Sequence, residues 1–453
     1  MSTSLYTKLV AGLLFPLHEW LKNHHTVKEF KRLEQSQWQS SSDIASIQSQ
    51  RLQAFIQSIY KHVPYYRELF KKLSLTPDDI CTAADLTKLP FLTKDVIRNH
   101  FEHFKADNAG PLKRFNTGGS SGQPLVFLLG NERVSHDVAA KWRATRWWNV
   151  DIGDKEIVAW GSPIELTKQD KIKIWRDKLF RSTLIPAFDL TEAKLLDFIK
   201  QIQDTKPTML FGYPSVFHLI AQSAVKHQID LTGLGIQVVF VTSERLYPYQ
   251  RELIEQVFNA PVANGYGGRD AGFIAHQCPA GGMHISAEEI VVEIVDREGK
   301  PVEKGVQGEI VVTHLATSEF PFVRYRTGDI AALSTQSCSC GRGLPLLEQL
   351  EGRTTDFVVA ADGTMMHGLA LIYILRDIAE IDGFKIVQHS LQYTEVQIVT
   401  ANHQLQETTE QSIIRQLKQR LGQDVEIKIQ YVSEIAPEKS GKYRYVISKV
   451  TAL

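Results

Sequence analysis

Short apolar runs of strand length alternate with helical patterns through the middle of the chain. The runs cover residues 125–129, 157–160, 209–211 and 238–242. Alternation of this kind is typical of a largely parallel sheet covered by helices, because parallel neighbours need a crossover connection. From residue 285 to residue 312 shorter strand patterns are separated by turn signals such as Arg-Glu-Gly-Lys-Pro at 297–301, which predicts an antiparallel addition. The predicted fold class is therefore α/β.

The length of the chain predicts more than one domain. Its 453 residues exceed what a single core usually supports. Beyond residues 352–356 the pattern predicts a helix at 368–380, strands at 385–389 and 395–400, a helix at 406–421 and a strand at 426–431. We therefore expect an N-terminal domain over 1–352 that begins with a helical extension at 1–47, a hinge at 353–356, and a small mobile α+β domain at 357–453.

Composition excludes several classes of function. The chain has 51 basic residues (Lys and Arg) and 51 acidic residues (Asp and Glu). Its net charge therefore does not indicate a nucleic-acid partner. Four cysteines are too few for a disulfide scaffold in a chain of this size, which favours a reducing compartment. We expect a soluble, cytoplasmic protein.

The amino terminus carries an apolar run at residues 9–17, interrupted by Pro16. A membrane-spanning helix needs about 20 apolar residues, so this run is too short to cross a bilayer. A helix docked on the protein's own surface is the favoured interpretation. Peripheral contact with a membrane through an interfacial helix stays open as the alternative.

A loop rich in glycine and serine reads Thr-Gly-Gly-Ser-Ser-Gly-Gln-Pro at residues 117–124. Its glycines let the backbone turn tightly and approach a ligand, and its hydroxyls lie on a short arc that suits a triphosphate. It is not a Walker loop, because Gln123 and Pro124 stand where Lys-Ser or Lys-Thr would follow the last glycine. Taken alone, such a cluster is more often a plain turn.

Four later segments, taken together with this loop, indicate a class of enzyme. They are Tyr-Gly-Gly-Arg-Asp at 266–270, Tyr-Arg-Thr-Gly-Asp at 325–329, Gly-Arg at 352–353 and Ser-Gly-Lys at 440–442. In this order, and at about this spacing, the five segments resemble those of the acyl-adenylate-forming enzymes. Residues 63–67 and 89–94 resemble the amino-terminal signature of the phenylacetate–CoA ligase branch. Residues 147–148, 160–161 and 212–215 resemble the matching residues of those relatives that are found in gene clusters for capsular polysaccharide.

The resemblance implies an enzyme that uses ATP to convert a carboxylic acid into an acyl-adenylate, releases pyrophosphate and passes the acyl group onward. The acceptor is either coenzyme A or an amine or hydroxyl on a sugar precursor. Residues 361–368 lack the Gly-x-Asn pattern common near the pantetheine tunnel, which weakens the case for coenzyme A and leaves it open. The alternatives are a catalytically silent binding module with the same fold, stabilised by zinc, and a P-loop kinase. The missing Walker lysine argues against the kinase.

The resemblance also assigns the nucleotide site residue by residue. Asp270 stands where glutamate is typical and is expected to bind magnesium, while Asp329 accepts hydrogen bonds from both ribose hydroxyls, since its two carboxylate oxygens suit a vicinal diol. Lys442 reaches the carboxylate and the α-phosphate during adenylation. The residues expected to hold the phosphates are Thr117, Gly118, Gly119, Ser120, Ser121 and Gly122. The remaining expected ATP and AMP contacts are Ser243, Glu244, Gly265, Tyr266, Gly267 and Arg353.

The small domain of this superfamily rotates about the segment that matches 352–356, moving the lysine in for adenylation and out for transfer. The hinge position is commonly acidic, whereas Thr355 stands there in this chain. The resemblance places the acyl pocket at Tyr213, Gly265 and Tyr266, with Trp147, Trp148 and His136 as further candidates for its wall.

Three cysteines and a histidine form a separate pattern. Cys278 and His284 are followed much later by the close pair Cys338 and Cys340. Three thiolates and one imidazole make a tetrahedral set that suits a structural zinc ion and leaves no open position for catalysis. Similar residues recur in the phenylacetate ligase branch. Buried thiols that merely pack are the alternative, and Cys81 stands apart as a core residue.

Overall fold

The structure is a computed structural model of the 453-residue chain. It describes residues 4–116, 125–160, 171–187, 192–353, 357–362, 365–367, 369–376, 378–401, 404–435 and 445–450. The chain divides into two compact units, Met1–Glu351 and Gly352–Leu453. The hinge expected at 353–356 lies mostly outside the described residues and stays a prediction.

The helices of the first unit are Leu5–Leu9, Phe15–Leu21, Thr26–Ser36, Ser41–His62, Pro64–Leu73, Lys94–Asn99, Asn131–Arg146, Lys171–Leu179, Glu192–Thr205, Pro214–Lys226 and Pro248–Phe258. A π-helical turn, Val10–Leu14, joins the first two of them without a break. Within the described ranges, no helix combines the length and the apolar character needed to cross a bilayer.

The first unit is built on one mixed sheet of 11 strands. In chain order the strands of this unit are β1 Lys113–Asn116, β2 Val126–Leu129, β3 Glu156–Trp160, β4 Ser182–Pro186, β5 Met209–Gly212, β6 Val238–Thr242, β7 Val262–Gly268, β8 Gly272–Gln277, β9 Met283–Ile285, β10 Ile290–Val295, β11 Gly308–His314, β12 Phe322–Leu333 and β13 Leu346–Arg353. The sheet order is β10-β11-β12-β13-β9-β8-β7-β6-β5-β3-β4, and β1 and β2 form a separate pair.

Strands β3 to β7 pair in parallel, as the alternation of strands and helices predicts. The α/β fold class is confirmed. The predicted antiparallel addition is present, and its strands extend the parallel sheet. Strand β7 pairs in parallel with β6 on one side and antiparallel with β8 on the other. The antiparallel addition is thus continuous with the parallel half.

A buried hydrogen bond to an ion-paired carboxylate and an aromatic stack connect the N-terminal helices to the rest of this unit. The Arg143 guanidinium lies 2.6 Å from Glu288 Oε1, and the Ser36 hydroxyl donates a 2.7 Å hydrogen bond to the same oxygen. Burial raises the pKa of Glu288, but the Arg143 charge and the Ser36 hydrogen bond outweigh it and hold that pKa below its usual range. Phe30 stacks on Trp142 with ring centroids 3.9 Å apart. The extension is therefore part of the core.

The second unit contains two small sheets and two helices within its described residues. Its strands are β14 Phe357–Val359, β15 Met365–His367, β16 Gly383–Ser390, β17 Tyr393–Val399, β18 Glu426–Tyr431 and β19 Val446–Ser448, and its helices are Leu369–Arg376 and Glu407–Leu421. Strands β16 to β19 form a sheet of order β18-β17-β16-β19, and β14 pairs with β15. The predicted α+β pattern is present.

Candidate active site

The parallel strands bring three predicted segments to one edge of the sheet. Tyr213 follows β5, Ser243 follows β6, and Tyr266 lies in the last part of β7. Register places Gly212 opposite Val241 and Thr242 opposite Gly265. Ligands of open α/β sheets bind in the crevice outside the carboxyl ends of the strands. The sheet topology therefore brings together residues that the sequence separates by tens of positions.

Two five-residue segments with the same first and last residue types are joined by side-chain hydrogen bonds at this edge. Segment 266–270 and segment 325–329 each begin with tyrosine and end with aspartate. The Tyr266 hydroxyl donates a 2.8 Å hydrogen bond to Asp329 Oδ2. The Tyr325 hydroxyl donates a 2.7 Å hydrogen bond to Asp270 Oδ2. Each tyrosine thus fixes the carboxylate of the other segment.

The Asp270 carboxylate faces inward and is 7% exposed. Its Oδ1 accepts a 3.1 Å hydrogen bond from the Ala271 backbone N–H. Close backbone packing shapes the same turn, because a Cβ on Gly267 would lie 2.1 Å from the Gly272 carbonyl oxygen. Only glycine fits at that position.

Arg133 supports this turn from behind. It is 1% exposed, and its guanidinium donates 3.3 Å hydrogen bonds to the carbonyl oxygens of Arg269 and Asp270. Its Nε donates a 2.9 Å hydrogen bond to Asp137 Oδ2. Burial raises the pKa of Asp137, but the Arg133 charge together with His136 and His314 outweighs it and holds that pKa well below its usual range. The motifs do not include this residue; its only sequence signal is an aspartate four positions later on a helix.

Two buried histidines complete the support around Asp137. Asp137 Oδ1 lies 3.6 Å from His136 Nδ1 and 3.7 Å from His314 Nε2. His314 Nδ1 accepts a hydrogen bond from the Ala316 N–H, so the ring proton is on Nε2 and faces Asp137. That tautomer, together with the neighbouring guanidinium, disfavours a metal ion among these three side chains.

The predicted adenine and acyl residues line the same edge. Ser243 has φ of 71°, a left-handed conformation that is costly for a residue with a Cβ and is often found at functional sites. Glu244 Oε2 accepts a 3.3 Å hydrogen bond from the Ser215 N–H at the start of a helix. Tyr213 is 3% exposed and stacks on Trp160 with centroids 4.7 Å apart.

The tryptophans suggested for the pocket wall also connect other parts of the unit. Trp147 Nε1 donates a 2.8 Å hydrogen bond to Gln37 Oε1 and its ring lies 5.5 Å from that of His284. Trp148 Nε1 donates to the Gln277 carbonyl oxygen. Both side chains connect secondary-structure elements, and their direction could not be read from the sequence.

Cys278, His284, Cys338 and Cys340 meet in space. Their ligand atoms all lie within 4.8 Å of one another. Cys278 Sγ is 3.6 Å from Cys338 Sγ, and Cys340 Sγ is 3.2 Å from His284 Nε2. His284 Nδ1 lies 3.3 Å from the Leu344 carbonyl oxygen, which favours a proton on Nδ1 and leaves the Nε2 lone pair facing the thiols. This donor set and tautomer fit a zinc ion.

Comparison with known proteins gives concordant matches over the whole chain. Residues 181–318 match the family model of the AMP-binding enzymes, and residues 358–449 match that of the CapK C-terminal domain. Protein CapK of Staphylococcus aureus is 26% identical over 97% of this chain and 96% of its own length. Phenylacetate-coenzyme A ligase of Thermus thermophilus is 22% identical over 89% of this chain and 96% of its own length. The chain is thus similar to acyl-adenylate-forming enzymes over almost all of its length.

A solved structure shares the fold of this chain. The structure of 2-hydroxyisobutyryl-CoA ligase in the postadenylation state superposes with a TM-score of 0.73 at 18% identity, covering 92% of both chains. The sequence matches indicate an AMP-forming ligase. Two parts of the predicted site lie outside the described residues: the loop with Thr117, Gly118, Gly119, Ser120, Ser121 and Gly122, and Lys442. Arg353 ends strand β13, and its side chain is likewise outside the description.

Proposed function

We propose that the enzyme activates a carboxylic acid as its acyl-adenylate, with release of pyrophosphate, and then transfers the acyl group to coenzyme A or to an amine or hydroxyl. The observation that supports this most directly is the pair of tyrosine–aspartate hydrogen bonds between segments 266–270 and 325–329. These bonds join, at the carboxyl edge of the parallel strands, two segments that resemble the nucleotide-binding segments of acyl-adenylate-forming enzymes.

Asp329 is proposed to bind the ribose. It is partly exposed at the edge of the sheet, and the Tyr266 hydroxyl holds its Oδ2. Its backbone N–H donates a 3.1 Å hydrogen bond to Thr327 Oγ1, and the Thr327 hydroxyl donates to the Ile310 carbonyl oxygen. A carboxylate fixed in this way can accept both hydroxyls of a vicinal diol. Such a contact exists before and during the reaction, so it contributes to binding of ATP.

The phosphate side of the site is proposed from the resemblance. The backbone and hydroxyls of residues 117–122 would hold the β- and γ-phosphates, and Lys442 would stabilise charge at the α-phosphate. Magnesium would neutralise phosphate charge, and Asp270 is the residue proposed to hold it. Because its carboxylate already accepts from Tyr325 and Ala271, we propose that Asp270 binds the ion through a water molecule.

The acceptor is proposed as coenzyme A or an amine or hydroxyl of a sugar precursor. Relatives are named for both kinds of product: one is a phenylacetate-coenzyme A ligase and another an amide bond synthetase. The relative named CapK, and the match of residues 358–449 to the CapK C-terminal domain, support a role in making a surface polysaccharide.

Cys278, His284, Cys338 and Cys340 are proposed to hold a structural zinc ion. They connect β8, β9 and the segment between β12 and β13. A closed four-ligand site would fix this region and would supply folding free energy rather than chemistry.

Acid-dependent exchange of labelled pyrophosphate into ATP tests the proposed first step. A panel of carboxylic acids is screened with the intact enzyme, and AMP formation is then followed with coenzyme A, amines or amino sugars as acceptors. Exchange with at least one acid is expected, and Lys442→Ala protein is the control that should not exchange. Formation of ADP would instead identify a kinase, and binding of ATP without exchange across the panel would identify a silent module.

A further inference from the structure

The N-terminal helices present a continuous apolar face to solvent. Leu5, Leu9, Leu13, Leu17 and Leu21 recur every four residues, and Trp20 lies beside the last of them; we call this set the leucine face. Leu5 is 86% exposed, Leu21 70% and Trp20 72%. The helices run from Leu5 to Leu21, about 25 Å at the rise of an α-helix. Exposed apolar surface of this extent marks an interaction site.

The opposite face of these helices is fixed to the enzyme. Thr7 and Val10 are fully buried, and Phe15 is 6% exposed. The Thr7 hydroxyl donates a 2.7 Å hydrogen bond to Asp154 Oδ1. A Cβ on Gly153, which has φ of +96°, would lie 2.5 Å from Val10 Cβ, so the helix backbone approaches this turn closely. The helices therefore cannot rotate to bury the leucine face.

A neighbouring helix extends the apolar surface. The Tyr6 hydroxyl donates a 2.9 Å hydrogen bond to the carbonyl oxygen of Leu179, and Phe180 packs edge-on against Phe15. On this helix, Lys171–Leu179, Trp175 is 74% exposed and Leu179 is 43% exposed. The two residues are four positions apart and so lie on one face.

The exposed charges on these helices are basic wherever the structure describes their side chains. Among the described side chains of these helices, the exposed charged residues are Lys8, Lys22 and Lys178. Of the acidic residues, Glu19 is 4% exposed, and Asp177 lies 2.6 Å from the Arg176 guanidinium. Leucine and tryptophan on one face, with lysines around it, is the pattern of helices that lie in a membrane interface.

We propose that the leucine face binds the surface of an anionic phospholipid bilayer. The leucines and Trp20 would enter the boundary between headgroups and acyl chains, and Lys8 and Lys178 would contact lipid phosphates. A protein groove would fit these observations less well, because the exposed charged residues among the described side chains of these helices are lysines. Such attachment would bring the ligase to acceptors held at a membrane.

Flotation of the full-length protein with phospholipid vesicles tests this proposal. Vesicles of phosphatidylcholine alone are compared with vesicles that also contain phosphatidylglycerol, at low and at high salt. Binding should be stronger to the anionic vesicles and should weaken as salt is added. The variant Leu13→Ser/Leu17→Ser/Trp20→Ser should bind at least about tenfold more weakly, since apolar burial supplies most of the affinity.

A matched variant separates this face from general surface hydrophobicity. Leu73→Ser/Val225→Ser/Val306→Ser also removes three exposed apolar side chains and should bind vesicles like the unchanged protein. Pyrophosphate exchange in solution should be equal for all three proteins, which shows that they are folded. Absence of vesicle binding by the unchanged protein, or equal binding by both variants, would overturn the proposal. So would self-association in sedimentation that only the first variant abolishes, which would identify a second copy as the occupant.

Discussion

The hydroxyl of Tyr325 and the carboxylate of Asp270 are hydrogen-bonded at 2.7 Å, and both side chains are buried, at 1% and 7% exposure. They lie 55 residues apart in the chain: Tyr325 is on strand β12, and Asp270 is in the turn between β7 and β8. The bond therefore connects the turn after β7 to β12, which also carries Asp329. Loss of either partner should affect both segments at once.

Tyr325→Phe should lower the free energy of unfolding by about 1–3 kcal/mol, because Asp270 Oδ2 loses its donor inside the protein. Urea denaturation measures this change in the free energy of unfolding. The matched change Tyr60→Phe, at a residue 37% exposed, should alter stability by less than about 0.5 kcal/mol. Equal stabilities for the two variants would mean that the buried hydrogen bond contributes nothing.

Asp329→Ala should raise the KM for ATP while kcat changes less. Ribose contacts form in the ground state and in the transition state alike, so their loss removes uniform binding. Initial rates over a range of ATP concentrations measure both constants, with the exposed Asp204→Ala as control. A lowered kcat at unchanged KM would argue against a ribose role for Asp329.

Lys442→Ala should slow adenylation by a hundredfold or more, and pre-formed acyl-adenylate should still be consumed. Removing one electrostatic donor to a developing charge costs about 2.7–4 kcal/mol of transition-state stabilisation. Lys439→Ala, three positions earlier in the same segment, should leave both half-reactions intact. Equal damage to both half-reactions by Lys442→Ala would contradict its assignment to the first step.

Replacing Cys338 and Cys340 with serine should release close to one zinc per chain and lower Tm, because a bound structural metal contributes to folding. Elemental analysis of protein prepared without chelators gives the zinc content, and calorimetry gives Tm. Cys81→Ser is the control, since Cys81 is partly exposed and not the core residue predicted from the sequence, and its Sγ contacts the Asp78 carbonyl oxygen. Zinc-free native protein would refute the site, whereas turnover that follows zinc occupancy in folded protein would indicate a catalytic metal.

His218 should make the protein sensitive to acid. Burial lowers the pKa of His218 to about 4, well below the value of about 6.5 expected in the unfolded chain. Between these values only the unfolded chain takes up the proton, so the free energy of unfolding falls by about 1.4 kcal/mol per unit as pH decreases. His218→Phe should reduce this slope in denaturation measured from pH 7 to pH 4. The exposed His103→Gln should not.

The strands were predictable where apolar runs have strand length, and Val238–Thr242 agrees with its predicted bounds. The cysteine–histidine cluster was also predictable, because its donors have the spacing and chemistry of zinc ligands. The pairing of Tyr266 with Asp329 and of Tyr325 with Asp270 was not, since the choice of partner depends on strand register across the sheet. Arg133 was missed for a different reason: apart from Asp137, its partners are backbone carbonyl oxygens, which no side-chain pattern reveals.

Strand β7 has a parallel neighbour on one side and an antiparallel neighbour on the other. Antiparallel neighbours such as β7 and β8 are close in the chain and can pair early during folding, whereas parallel pairs must first close longer loops. Tyr266 lies on the strand that both halves share, and its partner Asp329 lies on β12 of the antiparallel half. The nucleotide crevice should therefore be completed only when both halves have formed, so a partly folded chain would not bind ATP productively.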